Sequence, residues 1–174
     1  MKNKIPEHHS VYLAGKISPH DWRSKFCNSR YIFDAEEIRE FILVTVNDNL
    51  TITGPFFISC DHGCYHGEGK HGVGADSGGC EGVYFTRDDV LNICMTQILA
   101  ADVVFAYIDC SDCYGTLAEI GFAYSFKKDV VIIFDTPELK EEMWFIDKMQ
   151  HRTGEVSDEW IEEQLISRFK EVTT

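Results

Sequence analysis

The chain has 174 residues, of which 44% are hydrophobic and 26% are charged, and this composition is typical of one globular domain with a hydrophobic core. Its formal net charge of -13 argues against nonspecific binding to nucleic acids or to acidic membranes. The sequence has no signal-peptide pattern before Val11 and no membrane-length apolar run, so we expect a cytoplasmic protein whose seven cysteines are reduced thiols.

The first half of the chain predicts two strands with one helix between them. Residues 10–15, SVYLAG, are a short apolar run that ends in glycine, and they predict the first strand. A polar loop follows, and residues 34–48 then show apolar residues at helical spacing after an acidic N-cap residue, which predicts a helix. Residues 50–59 are β-branched and aromatic and predict a second strand, which Gly54 and Pro55 interrupt.

Segment 60–83 predicts a long insertion, because it contains eight of the thirteen glycines together with several histidines and cysteines. One interpretation is a lid over a bound ligand, with His62 or His66 as a proton donor. The other interpretation is a zinc site that includes Cys60 and Cys64, although the familiar C-x₂-C spacing is absent from this segment.

The second half of the chain alternates helices with continuous apolar strands. The predicted elements are a helix over 87–102, a strand over 103–109, a helix that ends near Phe126, a strand over 129–135, a helix that starts at Thr136-Pro137 and a last helix from Asp158. This alternation indicates a single α/β domain over residues 1–174. Its fold is predicted to be doubly wound and flavodoxin- or Rossmann-like, with a parallel sheet of about five strands and helices on both faces.

One acidic residue, Glu119, stands out in the stretch YIDCSDCYGTLAEIGFAY at 107–124. It lies about one turn into the predicted helix, at the sheet edge where doubly wound folds bind ligands. A helix N-terminus stabilises an anion, so we expect Glu119 to be ionised and able to act as a covalent nucleophile. The alternative is an ordinary acidic residue of a first helical turn that faces solvent.

Three segments together resemble the nucleoside 2-deoxyribosyltransferase family: VYLAGKI at 11–17, ADVVFAYID at 101–109 and YGTLAEIGFAY at 114–124. That family includes relatives that hydrolyse nucleoside 5′-monophosphates. Its glutamate attacks C1′ of the sugar, displaces the base and holds the sugar as an ester until a second base or water accepts it. The resemblance implies cleavage of the N-glycosidic bond of a (deoxy)nucleoside or nucleotide, with Glu119 as the nucleophile and with neither cofactor nor catalytic metal.

The resemblance also implies roles for residues near Glu119. Tyr12 matches the family's tyrosine on the first strand, whose hydroxyl would orient Glu119; the alternative is a core tyrosine. Asp109 and Asp112 would hold the sugar or the base, or would instead cap the following helix. The chain departs from the family on the helix before 103–109, where the transferases carry an aspartate and this chain reads NICMTQ, with Cys94 or its neighbours at the roughly corresponding place.

The loop GKISPHDWR at 15–23 follows the first strand at the same sheet edge. Lys16 and Arg23 are candidates for binding a phosphate or a carboxylate, and Trp22 for stacking on a base; the alternative is an ordinary surface loop with a packed tryptophan. The predicted substrate-binding residues are Gly15, Lys16, Asp21, Trp22, Arg23, His62, His66 and Gly115.

Two other functions stay open at this point. One is an NAD-consuming glycohydrolase, which also uses a glutamate near a similar sheet edge. The other is a non-catalytic module that senses a nucleotide, with Glu119 binding sugar hydroxyls. The expected partner is a small nucleoside or nucleotide and not a nucleic-acid polymer or a membrane. The resemblance further implies a homo-oligomer in which neighbouring subunits complete the sites.

Overall fold

A computed structural model describes residues 7–17, 22–26, 43–55 and 87–173. The five strands of its single sheet are β1 (His9–Gly15), β2 (Val44–Asn47), β3 (Leu50–Thr53), β4 (Val103–Ile108) and β5 (Asp129–Phe134). They lie in the order β2-β3-β1-β4-β5, and all neighbouring pairs are parallel except β2 with β3. The predicted α/β fold with about five strands is therefore confirmed, but the sheet is mixed and not parallel throughout.

The antiparallel edge strand β2 corrects the helix predicted over 34–48. β2 and β3 form a hairpin around Asp48 and Asn49, with Val44 opposite Ile52. The alternation of valine with polar residues in VTVN is the period of a half-buried strand, and the turn residues between it and β3 support a hairpin. The helical spacing of the apolar residues was therefore misleading from Val44 onwards. Residues 34–42 lie outside the described part of the chain.

The helices cover both faces of the sheet. They are α1 (Trp22–Phe26), α2 (Arg87–Ala100), α3 (Tyr114–Ser125), α4 (Pro137–Glu142), α5 (Trp144–Asp147) and a last helix made of α6 (Asp158–Ile161), a π-helical segment (Glu162–Ser167) and α7 (Arg168–Thr173). No helix in the described ranges combines the length and the apolar character that crossing a membrane requires.

Two of the helix predictions need correction. α1 lies in the segment predicted as a loop, and it forms where Trp22 and Phe26, four residues apart, direct their rings to the same side with centroids 5.6 Å apart. The helix predicted after Thr136-Pro137 is divided into α4 and α5 at Met143. Its start is confirmed, because Thr136 Oγ1 accepts a hydrogen bond from the Leu139 amide at 3.2 Å.

Alternate residues of β1 serve two hydrophobic cores. Val11 and Leu13 belong to the core beneath α1 and the last helix, whereas Tyr12 and Ala14 belong to the core beneath α2 and α3, and all four are fully buried. Because these four residues are buried on both faces of β1, their sequence is apolar throughout and shows no alternation of apolar with polar residues.

The order of the strands reverses at β1, which lies between β3 and β4. The carboxyl ends of β1 and β4 are adjacent there, since Gly15 is in register with Tyr107. Such a switch point is the usual ligand site of doubly wound sheets. Gly54 ends β3 beside it with φ at +145°, and an added Cβ would lie 2.6 Å from the Leu13 carbonyl oxygen, so this position requires glycine.

Candidate active site

A cleft of about 420 Å³ opens at the carboxyl ends of the central strands. Its wall combines the segment after β1, the residue after Gly54 and the start of α3. In the described part of the chain, the lining residues are Gly15, Lys16, Ile17, Pro55, Asp112, Cys113, Tyr114, Gly115, Thr116 and Glu119. The fold therefore brings five of the predicted site residues to one cleft: Gly15, Lys16, Asp112, Gly115 and Glu119.

Glu119 and Tyr12 form a buried hydrogen-bonded pair at this cleft. The Tyr12 hydroxyl donates to Glu119 Oε1 at 2.6 Å. Tyr12 is fully buried, and Glu119 is 8% exposed. The pair forms because Tyr12 lies on the face of β1 that α3 covers, and Glu119 is on the buried side of α3 with Ile120 and Ala123. The hydrogen bond expected between the two residues is thus present.

The protonation of Glu119 differs from the expectation. Burial raises the pKa of Glu119 to about 7, although the hydrogen bond from Tyr12 and the charge of Arg23 act in the opposite direction. Glu119 is the sixth residue of α3 and lies beyond the first turn, where the helix dipole is effective. A pKa of about 7 is higher than the expectation of an ionised carboxylate implies, and it brings both protonation states within reach near neutral pH.

Tyr12 keeps its proton across the physiological range. Burial, followed by the negative charge of Glu119, raises the pKa of Tyr12 well above its ordinary value. The phenol is therefore a neutral hydrogen-bond donor, and it orients the carboxylate without competing for its proton.

Cys94 of α2 completes this buried cluster. Its thiol lies within hydrogen-bonding reach of Tyr12 and close enough to Glu119 to sense its charge. Burial, followed by the charge of Glu119, raises the pKa of Cys94 to about 12. The cluster therefore contains a neutral thiol, which is a weak acid and a weak hydrogen-bond donor.

Lys16 and Asp112 form an exposed ion pair at the edge of the cleft. The Lys16 ammonium contacts both carboxylate oxygens of Asp112, at 2.7 and 2.8 Å. Lys16 holds the pKa of Asp112 below its ordinary value, and the hydrogen bond to Asp112 raises the pKa of Lys16. The pair joins the segment after β1 to the turn before α3. Asp109 is exposed one residue beyond β4 and is not among the described lining residues.

Arg23 supports the end of β1 through its described contacts. It is fully buried, and its guanidinium donates to the carbonyl oxygens of Leu13 at 3.3 Å, Gly15 at 3.1 Å and Lys16 at 3.1 Å. These hydrogen bonds fix the backbone that forms one wall of the cleft. They give Arg23 a supporting role at this wall, and its contact with a phosphate stays a prediction.

Trp22 likewise packs into the core beneath α1. Its ring contacts those of Phe105 and Tyr107 at centroid distances of 6.0 Å and that of Phe169 at 5.2 Å. The alternative interpretation of a packed tryptophan therefore describes this residue, and the predicted stacking on a base is not supported by these contacts.

The remaining predicted residues, Asp21, His62 and His66, lie outside the described residues, as does the whole insertion 60–83. The lid and zinc interpretations of that insertion therefore stay predictions. Within the ranges that the structure describes, no group of three or more His, Cys, Asp and Glu side chains could hold a metal ion.

Several lining residues were not identified from the sequence. Thr116 and Pro55 line the cleft but carry no strong sequence signal. Cys113 also lines it, and here a signal was available: Cys110 and Cys113 have C-x-x-C spacing immediately before a helix.

Comparison of the chain with protein-family models, with curated proteins and with solved structures finds no match. The similarity to nucleoside 2-deoxyribosyltransferases therefore remains a resemblance of short segments.

Proposed function

We propose that the protein cleaves the N-glycosidic bond of a (deoxy)nucleoside or nucleotide, with Glu119 as the nucleophile. The observation that carries this proposal is the Tyr12–Glu119 pair: a buried carboxylate, oriented by a 2.6 Å hydrogen bond, lines a cleft at the switch point of the sheet. The cleft volume of about 420 Å³ is in the range of small-molecule sites, which is roughly 300–1,000 Å³.

The chemistry follows from the arrangement of the carboxylate. Because the Tyr12 hydroxyl engages Oε1, Oε2 is the oxygen that would attack C1′ of the sugar. The bond between C1′ and the base breaks through an oxocarbenium-like transition state, whose positive charge an adjacent carboxylate stabilises. The resulting glycosyl ester on Glu119 is released when water or a second base attacks C1′.

The departing base needs a proton or hydrogen-bond donors. Among the described residues of the buried cluster, Tyr12 already donates its hydroxyl hydrogen to Glu119, and the Cys94 thiol has a pKa raised to about 12. Neither is a strong acid, so we expect the fastest cleavage for substrates whose base leaves readily.

We further propose that the protein is a homo-oligomer and that it acts in the cytoplasm. Large apolar side chains are exposed on the helices that cover one face of the sheet: Leu91 and Leu99 on α2, Tyr124 on α3, Phe126 directly after it, and Trp144 and Phe145 on α5. Exposed apolar residues grouped on one layer support an interface with another copy of the chain.

A base-release assay tests the proposed activity. The protein is incubated with deoxynucleosides, ribonucleosides, their 5′-monophosphates and NAD, and the free base is measured by chromatography. We expect release from nucleosides or monophosphates, no release by Glu119→Gln, and unchanged release by the control Glu138→Gln, because Glu138 is exposed on α4. Release from NAD alone would favour a glycohydrolase, and binding without release would favour a nucleotide-sensing module.

A further inference from the structure

The turn between β4 and α3 carries two cysteines in a C-x-x-C arrangement. Ser111 and Asp112 are the central residues of this turn, so Cys110 and Cys113 are its first and fourth residues. The first and fourth Cα atoms of a β-turn lie within about 7 Å, and a disulfide needs Cα atoms about 4.4–6.8 Å apart. A turn of this kind is therefore compatible with a disulfide between its first and fourth residues.

The surroundings of the two sulfurs agree with this geometry. Both thiols have pKa values that respond to the same three charged groups, Asp109, Asp112 and Lys16. Both belong to the hydrophobic cluster on the α3 side of the sheet, and both are free thiols. Cys110 is partly exposed, whereas Cys113 is 3% exposed and lines the cleft. A small disulfide can therefore reach Cys110 first, and Cys113 is the inner partner.

We propose that Cys110 and Cys113 form a reversible disulfide and that this pair is a redox modification site at the edge of the cleft. The Cys110 sulfur attacks a low-molecular-weight disulfide and releases one small thiol. The Cys113 sulfur then attacks the Cys110 sulfur of the mixed disulfide and releases the second small thiol. Two protein thiols are oxidised, the small disulfide is reduced to two thiols, and the two protein protons pass to them.

The local electrostatics make this reaction slow at neutral pH. Burial, followed by hydrogen bonds to Asp109 and Asp112, raises the pKa of the Cys110 thiol to about 12, and only Lys16 acts in the opposite direction. The attacking species is the thiolate. We therefore expect the initial rate of thiol loss to rise about tenfold from pH 7 to pH 8.

The disulfide would alter the contacts at the edge of the cleft more than it would alter the position of Glu119. The Cys110 thiol hydrogen-bonds to Asp112, and Asp112 pairs with Lys16 at 2.7 Å. Oxidation removes this donor and fixes the turn that leads into α3. If the proposed glycosidic activity is correct, oxidation should raise KM several-fold and change kcat less, because the Tyr12–Glu119 pair lies outside the turn.

Thiol mapping tests the site independently of any activity. The full chain is reduced, exposed to glutathione disulfide at pH 8, unfolded in denaturant, alkylated and digested with trypsin. In the peptide over 88–127 we expect the loss of two hydrogens and a bond between Cys110 and Cys113, with Cys94 still alkylated. Cys113→Ser should instead accumulate a glutathione adduct on Cys110, and Cys110→Ser should form no disulfide in this peptide.

Two results would overturn the proposal. One is full alkylation of both Cys110 and Cys113 after oxidation of the folded chain. The other is a disulfide that joins either of them to Cys94 or to another cysteine. Cys113→Ala replaces Cys113→Ser if the serine variant does not fold. Absence of base release from every substrate would remove the proposed function and leave the mapping result unaffected.

Discussion

The hydroxyl of Tyr12, on β1, donates a 2.6 Å hydrogen bond to Glu119 Oε1, on α3, across 107 positions of the chain. This bond lowers the pKa of Glu119, whereas burial raises it, and burial has the larger effect. The balance leaves the carboxyl with a pKa of about 7. Substitutions next to this pair should therefore shift the pKa of Glu119 within the physiological pH range.

The first prediction concerns the pH dependence of turnover. A nucleophilic Glu119 must be ionised, and its pKa of about 7 means that the ionised fraction rises between pH 6 and pH 8. We expect kcat/KM in the base-release assay to increase by about tenfold over this interval. A rate that falls over the same interval would indicate that Glu119 acts as an acid.

The second prediction concerns Tyr12→Phe, which keeps the buried ring and removes the hydrogen bond. Because that bond lowers the pKa of Glu119, its loss should raise this pKa and move the midpoint of the pH–rate profile upward by about one pH unit. Activity should fall at pH 7 and recover partly at pH 9. Tyr124→Phe is the matched control, since Tyr124 is exposed on α3. An unchanged midpoint in Tyr12→Phe would contradict the orienting role.

The third prediction concerns the free energy of unfolding. The pKa of Glu119 is about 7 in the folded chain and 4.5 ordinarily, so the folded state binds more protons between these values and stability falls as the pH rises through this window. Above pH 7 the buried charge should cost about 3 kcal/mol. Glu119→Gln removes this charge, so the variant should be more stable than the wild type at pH 8 and equally stable at pH 4.

Urea denaturation at pH 4, 6 and 8 measures this difference. Glu138→Gln should show no such trend, because Glu138 is exposed. If Glu119→Gln were less stable than the wild type at pH 8, the carboxylate would be a stabilising structural group and not a strained functional one.

The Tyr12–Glu119 pair was located through the resemblance to the family, whose short matching segments contain both residues. β1 and β4 are continuous apolar runs, and the turn before α3 has glycine and small polar residues. Parallel strands of this kind end at the same sheet edge, so the position of the β4–α3 turn beside the end of β1 follows from topology, whereas the pairing of Tyr12 with Glu119 was implied by the resemblance. The mixed sheet was missed because Val44 and Val46 fit both a helical and an alternating pattern.

The properties that the sequence did not supply depend on packing. The pKa of Glu119 reflects how completely its neighbours exclude water, which no local pattern encodes. Arg23 was expected to meet an anion, because an arginine in a loop at a ligand edge is usually exposed. It is instead buried, with hydrogen bonds to carbonyl oxygens at the end of β1, beside an aromatic cluster around Trp22 whose members come from α1, β4 and α7.

The fourth prediction concerns assembly. Trp144 is 62% exposed and Phe145 is 60% exposed on the helix layer that we propose as the interface. Light scattering at micromolar concentration should show a multiple of the monomer mass, and Trp144→Glu should reduce it by placing a charge in the contact. Leu43→Glu is the matched control, because Leu43 is also exposed but precedes the edge strand β2. A wild-type chain of monomer mass would contradict the proposed interface.

The last prediction concerns the choice between a nucleoside and its 5′-monophosphate. Lys16 lines the cleft, but its ammonium is paired with both oxygens of Asp112. A phosphate near Lys16 would be repelled by Asp112, whereas a neutral nucleoside would not. Asp112→Asn keeps the size of the side chain and removes its charge. The ratio of kcat/KM for the monophosphate to that for the nucleoside should then rise about threefold, since exposed charge pairs are weak.

Adding Lys16→Gln to Asp112→Asn should lower the monophosphate-to-nucleoside ratio again. The double variant lacks the cation that would attract the phosphate. At high ionic strength exposed charges are screened, so the monophosphate-to-nucleoside ratios of Asp112→Asn and of the double variant should approach one another. If Asp112→Asn instead lowered kcat/KM equally for both substrates, Asp112 would bind a group that they share, such as a sugar hydroxyl, and the ion pair would not control the preference for phosphate.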